Sequence, residues 1–383
     1  MATCSWLTEA WQHGNWRLLK RVVQEKRDQW RRVLGQKCFD VPLTALSPCR
    51  LSECKRIVLV RWDAKFGDAF VSSFLFRELR KANPELSIVV ITTAQLAPLF
   101  EHHWGADEVH ICRKRAGYLE LDRLARKIGE ADLLVHLSKE LKPKDLFFIR
   151  RLHPAHVASL DDDPRCVDIK LRQQCAGMHF ADKLAHLLKL CGVENVDTAY
   201  WLPHDEQRRE AVSAFLPARY RHIIAFNPYG AGHARRLDEE SICKMIALIK
   251  AKGNQYGVCL LHAPGEREEV ERIVERFRGQ GVFFYPQSNS ILDVVAQIEV
   301  ANGVISVDTA TVHLASGLHK PLLALYNPDT ENYADWGPNS PNALVLFSTA
   351  KRPFDINTLN WQQLDEALPL FLARCTQDTG SVA

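Results

Sequence analysis

A chain of 383 residues, 46% hydrophobic and 25% charged, has enough apolar material for two domain-sized cores. Its net charge of +3 is too slight for general nucleic-acid binding, and its eleven cysteines contain no CxxC pair or zinc-type Cys/His cluster, so reduced, mostly buried thiols are expected. No apolar run approaches the roughly 20 residues that cross a bilayer, and the N-terminus lacks the apolar core of a signal peptide, so a cytoplasmic location is expected.

Residues 6–34, WLTEAWQHGNWRLLKRVVQEKRDQWRRVL, read as one or two helices, with Trp11, Leu18, Leu19, Val22, Trp30 and Leu34 on one side and Arg and Lys on the other. A basic amphipathic segment of this kind either packs on its own protein or lies on an anionic membrane surface. A Pro- and Ser-containing linker, VPLTALSPCRLSE, follows it.

From Arg56 short apolar runs alternate with helical patterns: RIVLVR then AFVSSFLFRELRKAN, SIVVIT then AQLAPLFEHHW, YLELDRLARKIG then DLLVHLS. That rhythm predicts a parallel sheet covered by helices on both faces. It fades near Trp201-Leu202-Pro203 and restarts with HIIAFN, EESICKMIALIKAKG, GVCLLH, EREEVERIVERF, VFFYP, ILDVVAQIEVA and GVISV. Two doubly wound α/β domains facing a central cleft fit this better than one wide sheet. The expected division is an extension and linker over 1–50, a first domain over 51–205 and a second over 206–345. A C-terminal helical segment over 346–383 is placed to dock back across the domains.

Ligands of open parallel sheets sit beyond the carboxyl ends of the strands, so the loops there carry the chemistry. In GVISVDTATVHLASG, Asp308 and Thr309 end a strand and are expected to cap the next helix, whose free N–H groups and dipole suit a phosphate. Asp308 would repel a diphosphate at contact and is better matched to sugar hydroxyls, while Thr309 and His313 stand one turn apart. In FNPYGAGHARRLDEE, Gly230 and Gly232 allow close backbone approach, and Arg235 and Arg236 offer charge-assisted bonds to phosphate oxygens. In VRWDAKFGDAFVSS, Gly67 allows a tight turn beside Lys65, and Asp68 opens the following helix, either as a cap or as a general base.

Taken together, RWDAKFGDAFVSSFLFRELRKANP, NPYGAGHARRLDEE and ISVDTATVHLASGLHKPLLALYNP resemble glycosyltransferase family 9, the family of the ADP-heptose:lipopolysaccharide heptosyltransferases, from about Arg56 to about Pro328. The resemblance implies a GT-B fold and inverting transfer of heptose from ADP-L-glycero-D-manno-heptose to the inner core of lipopolysaccharide, with no metal and no cofactor. By position it makes Asp68 the catalytic base and assigns the donor to Gly230, Arg235, Arg236, Asp308, Thr309, Ala310 and His313. Ala310 stands where members carry Gly, and Arg235 where they usually carry Lys.

Lys65, Gly67, Lys139 and Lys142 are assigned to the acceptor, with the basic stretches CRKRAG and KELKPKD and with Arg150 and Arg151 nearby to hold its anionic groups. Expected partners are the nucleotide sugar, the lipopolysaccharide core and the cytoplasmic face of the inner membrane, without nucleic acid. The alternatives are a GT-B transferase using a UDP- or GDP-hexose, and a non-catalytic carbohydrate- or membrane-binding scaffold on the same fold.

Overall fold

The computed structural model describes residues 16–43 and 47–377. In chain order, α1 (Trp16–Phe39) leads to β1 (Arg56–Arg61), α2 (Phe66–Val71), α3 (Phe74–Ala82), β2 (Ser87–Thr92), α4 (Ala97–His102) and β3 (Glu108–Ile111). Then come α5 (Tyr118–Ile128), β4 (Leu133–Val135), α6 (Pro143–Leu152), β5 (His156–Ser159), β6 (Ile169–Lys170) and α7 (Phe180–Leu190).

The second half begins with α8 (Glu206–Phe215), β7 (His222–Asn227), α9 (Glu239–Ala251), β8 (Tyr256–Leu260), α10 (Arg267–Arg276) and β9 (Val282–Phe283). It continues through α11 (Ile291–Val300), β10 (Gly303–Val307), α12 (Ala310–Gly317), β11 (Leu322–Tyr326), α13 (Thr330–Trp336), β12 (Ala343–Phe347) and α14 (Trp361–Thr376).

The strands form two six-stranded parallel sheets, ordered β3-β2-β1-β4-β5-β6 and β12-β11-β10-β7-β8-β9. Strands buried on both faces need continuous apolar runs, and β1, β2, β7 and β10 supply them. In each sheet the chain winds outward from the middle, returns, and winds the other way. The reversal falls between β1 and β4 in the first sheet and between β7 and β10 in the second. At such a switch point neighbouring loops diverge to opposite faces and leave a crevice.

The two halves share buried apolar material: one cluster runs from Leu59, Phe70 and Leu184 into Val312, Leu314 and Tyr326. The connection between them is fastened as well. Trp201 N–H donates to Ser73 Oγ at 2.8 Å, and Trp104 Nε1 donates to the Trp201 carbonyl at 2.6 Å.

Four sequence expectations differ from the structure. The expected single helix over AFVSSFLFRELRKAN is two, broken at Ser72-Ser73. The Ser72 and Ser73 hydroxyls bond back to the Asp68 and Phe70 carbonyls, which competes with helix continuation. The stretch KELKPKD, expected as a basic patch for the acceptor, is largely the entrance to α6, where Lys142 N–H donates to Asp145 Oδ2 at 2.7 Å. The C-terminal helix α14 lies on the second sheet rather than across the domains. Its Leu364, Leu368, Phe371, Leu372 and Cys375 enter that half's own core, and any side chain on Gly303 would strike Cys375 and Phe371.

The fourth concerns the N-terminal segment, of which residues 6–15 lie outside the described residues. The described part, α1, packs on its own protein at α6, but turns Trp30 and Leu34 of its apolar side outward, 76% and 63% exposed.

Candidate active site

The loops leaving β1 and β4 enclose a cavity of about 320 Å³ lined by Arg61, Trp62, Asp63, Lys65 and Asp68 from one side and by His136, Ser138 and Lys139 from the other. Asp335 and Trp336, from the second half, close it. The turn out of β1 needs one left-handed residue, and this is Ala64 at φ 58°, not Gly67. Gly67 lies inside α2 and serves a different purpose, because a Cβ there would stand 3.0 Å from His313 Cδ2 and 3.4 Å from Ala310 Cα. The tight-turn expectation for Gly67 is therefore replaced by close approach between halves, where α2 packs against α12.

Asp68 sits in the first turn of α2, its side chain 16% exposed, with Lys65 Nζ 3.7 Å from Oδ2. Burial raises its pKa above the usual aspartate value, against the opposing pull of Arg61 and Lys65. A carboxylate so placed is a stronger proton acceptor than one in water while the two cations still favour its ionised form. Arg61, at the end of β1, is the residue the sequence reading missed. Its Nε and Nη2 are buried without a hydrogen-bond partner, and Nη2 is 3.6 Å from Asp63 Oδ2. The signal was an arginine closing the apolar run RIVLVR: a cation at the carboxyl end of a switch-point strand.

Across the crevice, the loops after β7 and β10 hold the second group. Asp308, 6% exposed, accepts from Arg235 Nη1 at 3.2 Å and from Asn332 Nδ2 at 2.8 Å. Burial raises its pKa, while Arg235, Asn332 and Lys65 oppose the rise. Lys65 thus acts on Asp68 in the first half and on Asp308 in the second. No side chain caps α12, which corrects the expectation that Asp308 and Thr309 do so. The Asp308 carboxylate is turned to Arg235 and Asn332, and Thr309, at the N-cap position, makes no capping bond. The helix start is instead tied to β7, where Asn227 Nδ2 donates to Thr311 Oγ1 at 2.5 Å.

His313, 4% exposed, lies against Gly67 and 6.3 Å from the Trp336 ring. Burial and the neighbouring His179 push its pKa down to about 3, so it is neutral at physiological pH. It packs the seam between halves rather than lining an open face with Thr309.

Several assigned residues are committed elsewhere. Arg236 pairs with Glu266 at 3.2 Å and Glu269 at 2.5 Å and stacks over the Tyr229 ring at 4.5 Å, which turns its guanidinium to α10 and away from the site. Gly230 does not admit a ligand: the Arg235 carbonyl occupies the space where its Cβ would be, because residues 229 and 236 pair as a small antiparallel bridge. Lys142 is exposed at the start of α6 and is not part of the cavity wall. Arg150 donates to the Cys38 carbonyl and Arg151 pairs with Asp122 at 2.5 Å, so neither is available to the cavity. In CRKRAG, Arg113 is spent on Glu120 at 2.5 Å.

Lys139 lies where expected but bridges the halves, its Nζ 2.7 Å from Asp335 Oδ2. The other oxygen of Asp335 takes Lys183 Nζ at 2.5 Å, and Phe180 stacks on Trp336 at 4.3 Å. Together these contacts join the two halves across the cavity that Asp68 lines.

Comparison with known proteins agrees with this architecture. The family model described as glycosyltransferase family 9 (heptosyltransferase) matches residues 121–357. A curated Escherichia coli K12 protein, "Putative lipopolysaccharide heptosyltransferase 4", is 23% identical over 317 residues, covering 80% of this chain and 85% of its own.

Among solved structures, a glycosyltransferase family 9 protein of Veillonella parvula superimposes with a TM-score of 0.69 at 19% identity, covering 86% of this chain and 99% of its own. Escherichia coli ADP-heptose lps heptosyltransferase II gives 0.63 at 18% identity, with 83% and 99% covered. Escherichia coli heptosyltransferase WaaC with ADP gives 0.61 at 17% identity, with 84% and 99% covered. The two facing parallel-sheet domains are the GT-B fold, and with more than half of its length matched by the family model, the chain belongs to glycosyltransferase family 9, the heptosyltransferases.

Proposed function

We propose that this glycosyltransferase moves heptose from ADP-L-glycero-D-manno-heptose to an anionic saccharide of the lipopolysaccharide inner core, with inversion, at the cytoplasmic face of the inner membrane. The observation that carries the reading is the packing of α2 on α12, where Gly67 meets His313 and Ala310, so that Asp68 and the loop bearing the Arg235–Asp308 pair flank one seam. ADP-heptose as donor is supported by the family and by the solved relatives described with ADP and with ADP-2-deoxy-2-fluoro heptose.

In this reading Asp68 takes the proton of the acceptor hydroxyl as its oxygen bonds to the anomeric carbon, a contribution of roughly 10²–10⁴-fold. On the opposite face of the sugar the bond to the diphosphate oxygen breaks and ADP leaves. The charge appearing on the diphosphate is met by Arg235, by Thr309 and by the uncapped N–H groups of α12, so the proposed reaction uses no metal and no cofactor. Asp308 orients sugar hydroxyls. On the acceptor side Arg61, whose buried Nε and Nη2 make no hydrogen bond, favours a carboxylate or phosphate on the incoming saccharide.

Incubation with ADP-heptose and a series of truncated core lipopolysaccharides, followed by mass analysis, tests this directly. A heptose-sized increment with one acceptor supports it. Transfer only from a UDP- or GDP-sugar would overturn the donor assignment, and no turnover with any donor would favour a binding scaffold.

A further inference from the structure

The face that α1 turns to the protein is the wrong one for a helix that simply packs on its own domain. It docks through Arg32, Gly35 and Phe39: Gly35 leaves no room for a Cβ against Pro143, and Arg32 Nη2 reaches Asp161 at 3.1 Å and Asp163 at 2.6 Å. Just beyond, the Asp40 carboxylate accepts from the Arg165 and Cys166 N–H groups at 2.9 and 2.8 Å, fixing the end of the helix. At 3.6 residues per turn the opposite side carries Val23, Trp30, Val33 and Leu34, which are 59%, 76%, 44% and 63% exposed. An apolar stripe that faces away from its own core marks an interaction surface.

The charge of the helix selects the partner. Over Trp16–Phe39 the sequence holds eight Arg or Lys residues and two acids, and Lys26 and Lys37 lie exposed within the same arc as Trp30. Across a two-fold pairing of two copies those ammonium groups would confront like charge, whereas an anionic lipid surface neutralises them and takes the apolar side chains between its headgroups. Among the described residues no helix is long and apolar enough to cross a membrane, so the helix lies on the surface rather than through it.

We infer that α1 binds an anionic bilayer, with Trp30 and Leu34 inserted at the headgroup boundary and Lys26 and Lys37 against lipid phosphates. This names the element behind the peripheral-membrane part of the proposed function, and lipid binding by α1 does not depend on which sugar is transferred. Its consequence for that function is geometric. Arg32 also stands 3.6 Å from Glu140, next to Ser138 and Lys139 in the cavity wall, so a lipid-bound α1 fixes the acceptor side of the crevice beside the bilayer.

The test is co-sedimentation of the full chain with vesicles of phosphatidylcholine alone and of phosphatidylcholine with one third phosphatidylglycerol. Binding is expected only to the anionic vesicles and should weaken with added salt. Trp30→Ser combined with Leu34→Ser should lower the partition coefficient by about tenfold or more. Lys26→Gln with Lys37→Gln should lower it roughly fivefold per charge removed.

Sedimentation velocity distinguishes the second-copy alternative: a dimer of the wild type that the Trp30/Leu34 variant dissolves, with vesicle binding unchanged, overturns the inference. So does failure of the wild type to bind anionic vesicles, or full binding by either variant. The charge variant keeps the test decisive if the apolar variant does not fold. None of these measurements uses a sugar substrate, so loss of the donor assignment would leave them intact.

Discussion

Gly67 of the first half and His313 of the second meet so closely that a methyl group on Gly67 would stand 3.0 Å from the imidazole Cδ2. This contact brings Asp68, the next residue, to the seam with α12, the helix that follows Asp308 and Thr309. A Gly67→Ala substitution inside α2 gains helix propensity, so it should not weaken the first domain, yet it forces α2 and α12 apart by a few tenths of an ångström. Larger side chains force more. Misplacement of about 1 Å at a reacting centre costs on the order of 10²-fold, so kcat should fall several-fold for Gly67→Ala and by about 10²-fold for Gly67→Val. Unchanged kcat for Gly67→Val would show that the seam does not set the reacting geometry.

Asp68→Asn should retain ADP binding and reduce transfer by about 10²–10⁴-fold, measured as kcat with saturating donor. Because burial raises the Asp68 pKa, the acid limb of wild-type activity should have its midpoint above the usual aspartate value, and Arg61→Met, which removes an opposing cation, should move it higher. The same shift bears on folding. A carboxyl with a raised folded pKa binds more protons folded than unfolded between the two values, so its favourable contribution exists below the unfolded pKa and is lost as pH rises through the folded one. At neutral pH Asp68→Asn should therefore melt no lower than the wild type, a trade of stability for reactivity. A lower melting temperature there would contradict the burial argument.

Arg235→Met should weaken ADP binding by roughly 10–100-fold, the range for losing one charge-assisted bond in a partly buried site. Arg235→Lys keeps the charge but loses the fork, so its loss should be smaller. Calorimetry with ADP reads both. If the diphosphate charge is met by Arg235 and the α12 N–H groups, transfer should also survive chelation by EDTA, and its abolition would overturn the metal-free reading.

Asp335 anchors Lys183 and Lys139, and removing its charge leaves a buried ammonium without its counterion. Asp335→Asn should cost about 3–5 kcal/mol of stability, seen in chemical unfolding. Burial alone would raise the Asp335 pKa, but hydrogen bonds from Lys139 and Lys183 outweigh it and hold the value below the usual aspartate range. The stabilisation is thus present above the unfolded pKa and lost as pH falls through the depressed one, so the stability gap between wild type and Asp335→Asn should start to narrow only below about pH 4 and close under the depressed value. An equal gap between them at acid and neutral pH would remove the ion pair from the account.

Much of the frame could be read from the chain alone. The runs RIVLVR, SIVVIT, HIIAFN and GVISV are long and apolar enough to declare buried parallel strands, and the polar groups just after them fell where switch-point loops place a ligand. Strands of two to four residues such as β3, β5, β6 and β9 show no period of their own and exist because neighbouring strands supply their hydrogen bonds.

Local sequence determined which residue types stand at the strand ends: Asp68 and Lys65 after β1, Arg235 after β7, Asp308 and Thr309 after β10. Only the tertiary structure decided which of them share a site. Arg235 and Arg236 are adjacent in sequence, yet one turns to Asp308 and the other to Glu266 and Glu269, because α10 and the turn that leads into it bring these acids to one side of the loop alone. Gly67 and the outward stripe of α1 teach the same lesson. A glycine's purpose and a helix's direction depend on what is packed against them, and sequence periodicity records the presence of a face but not what it meets.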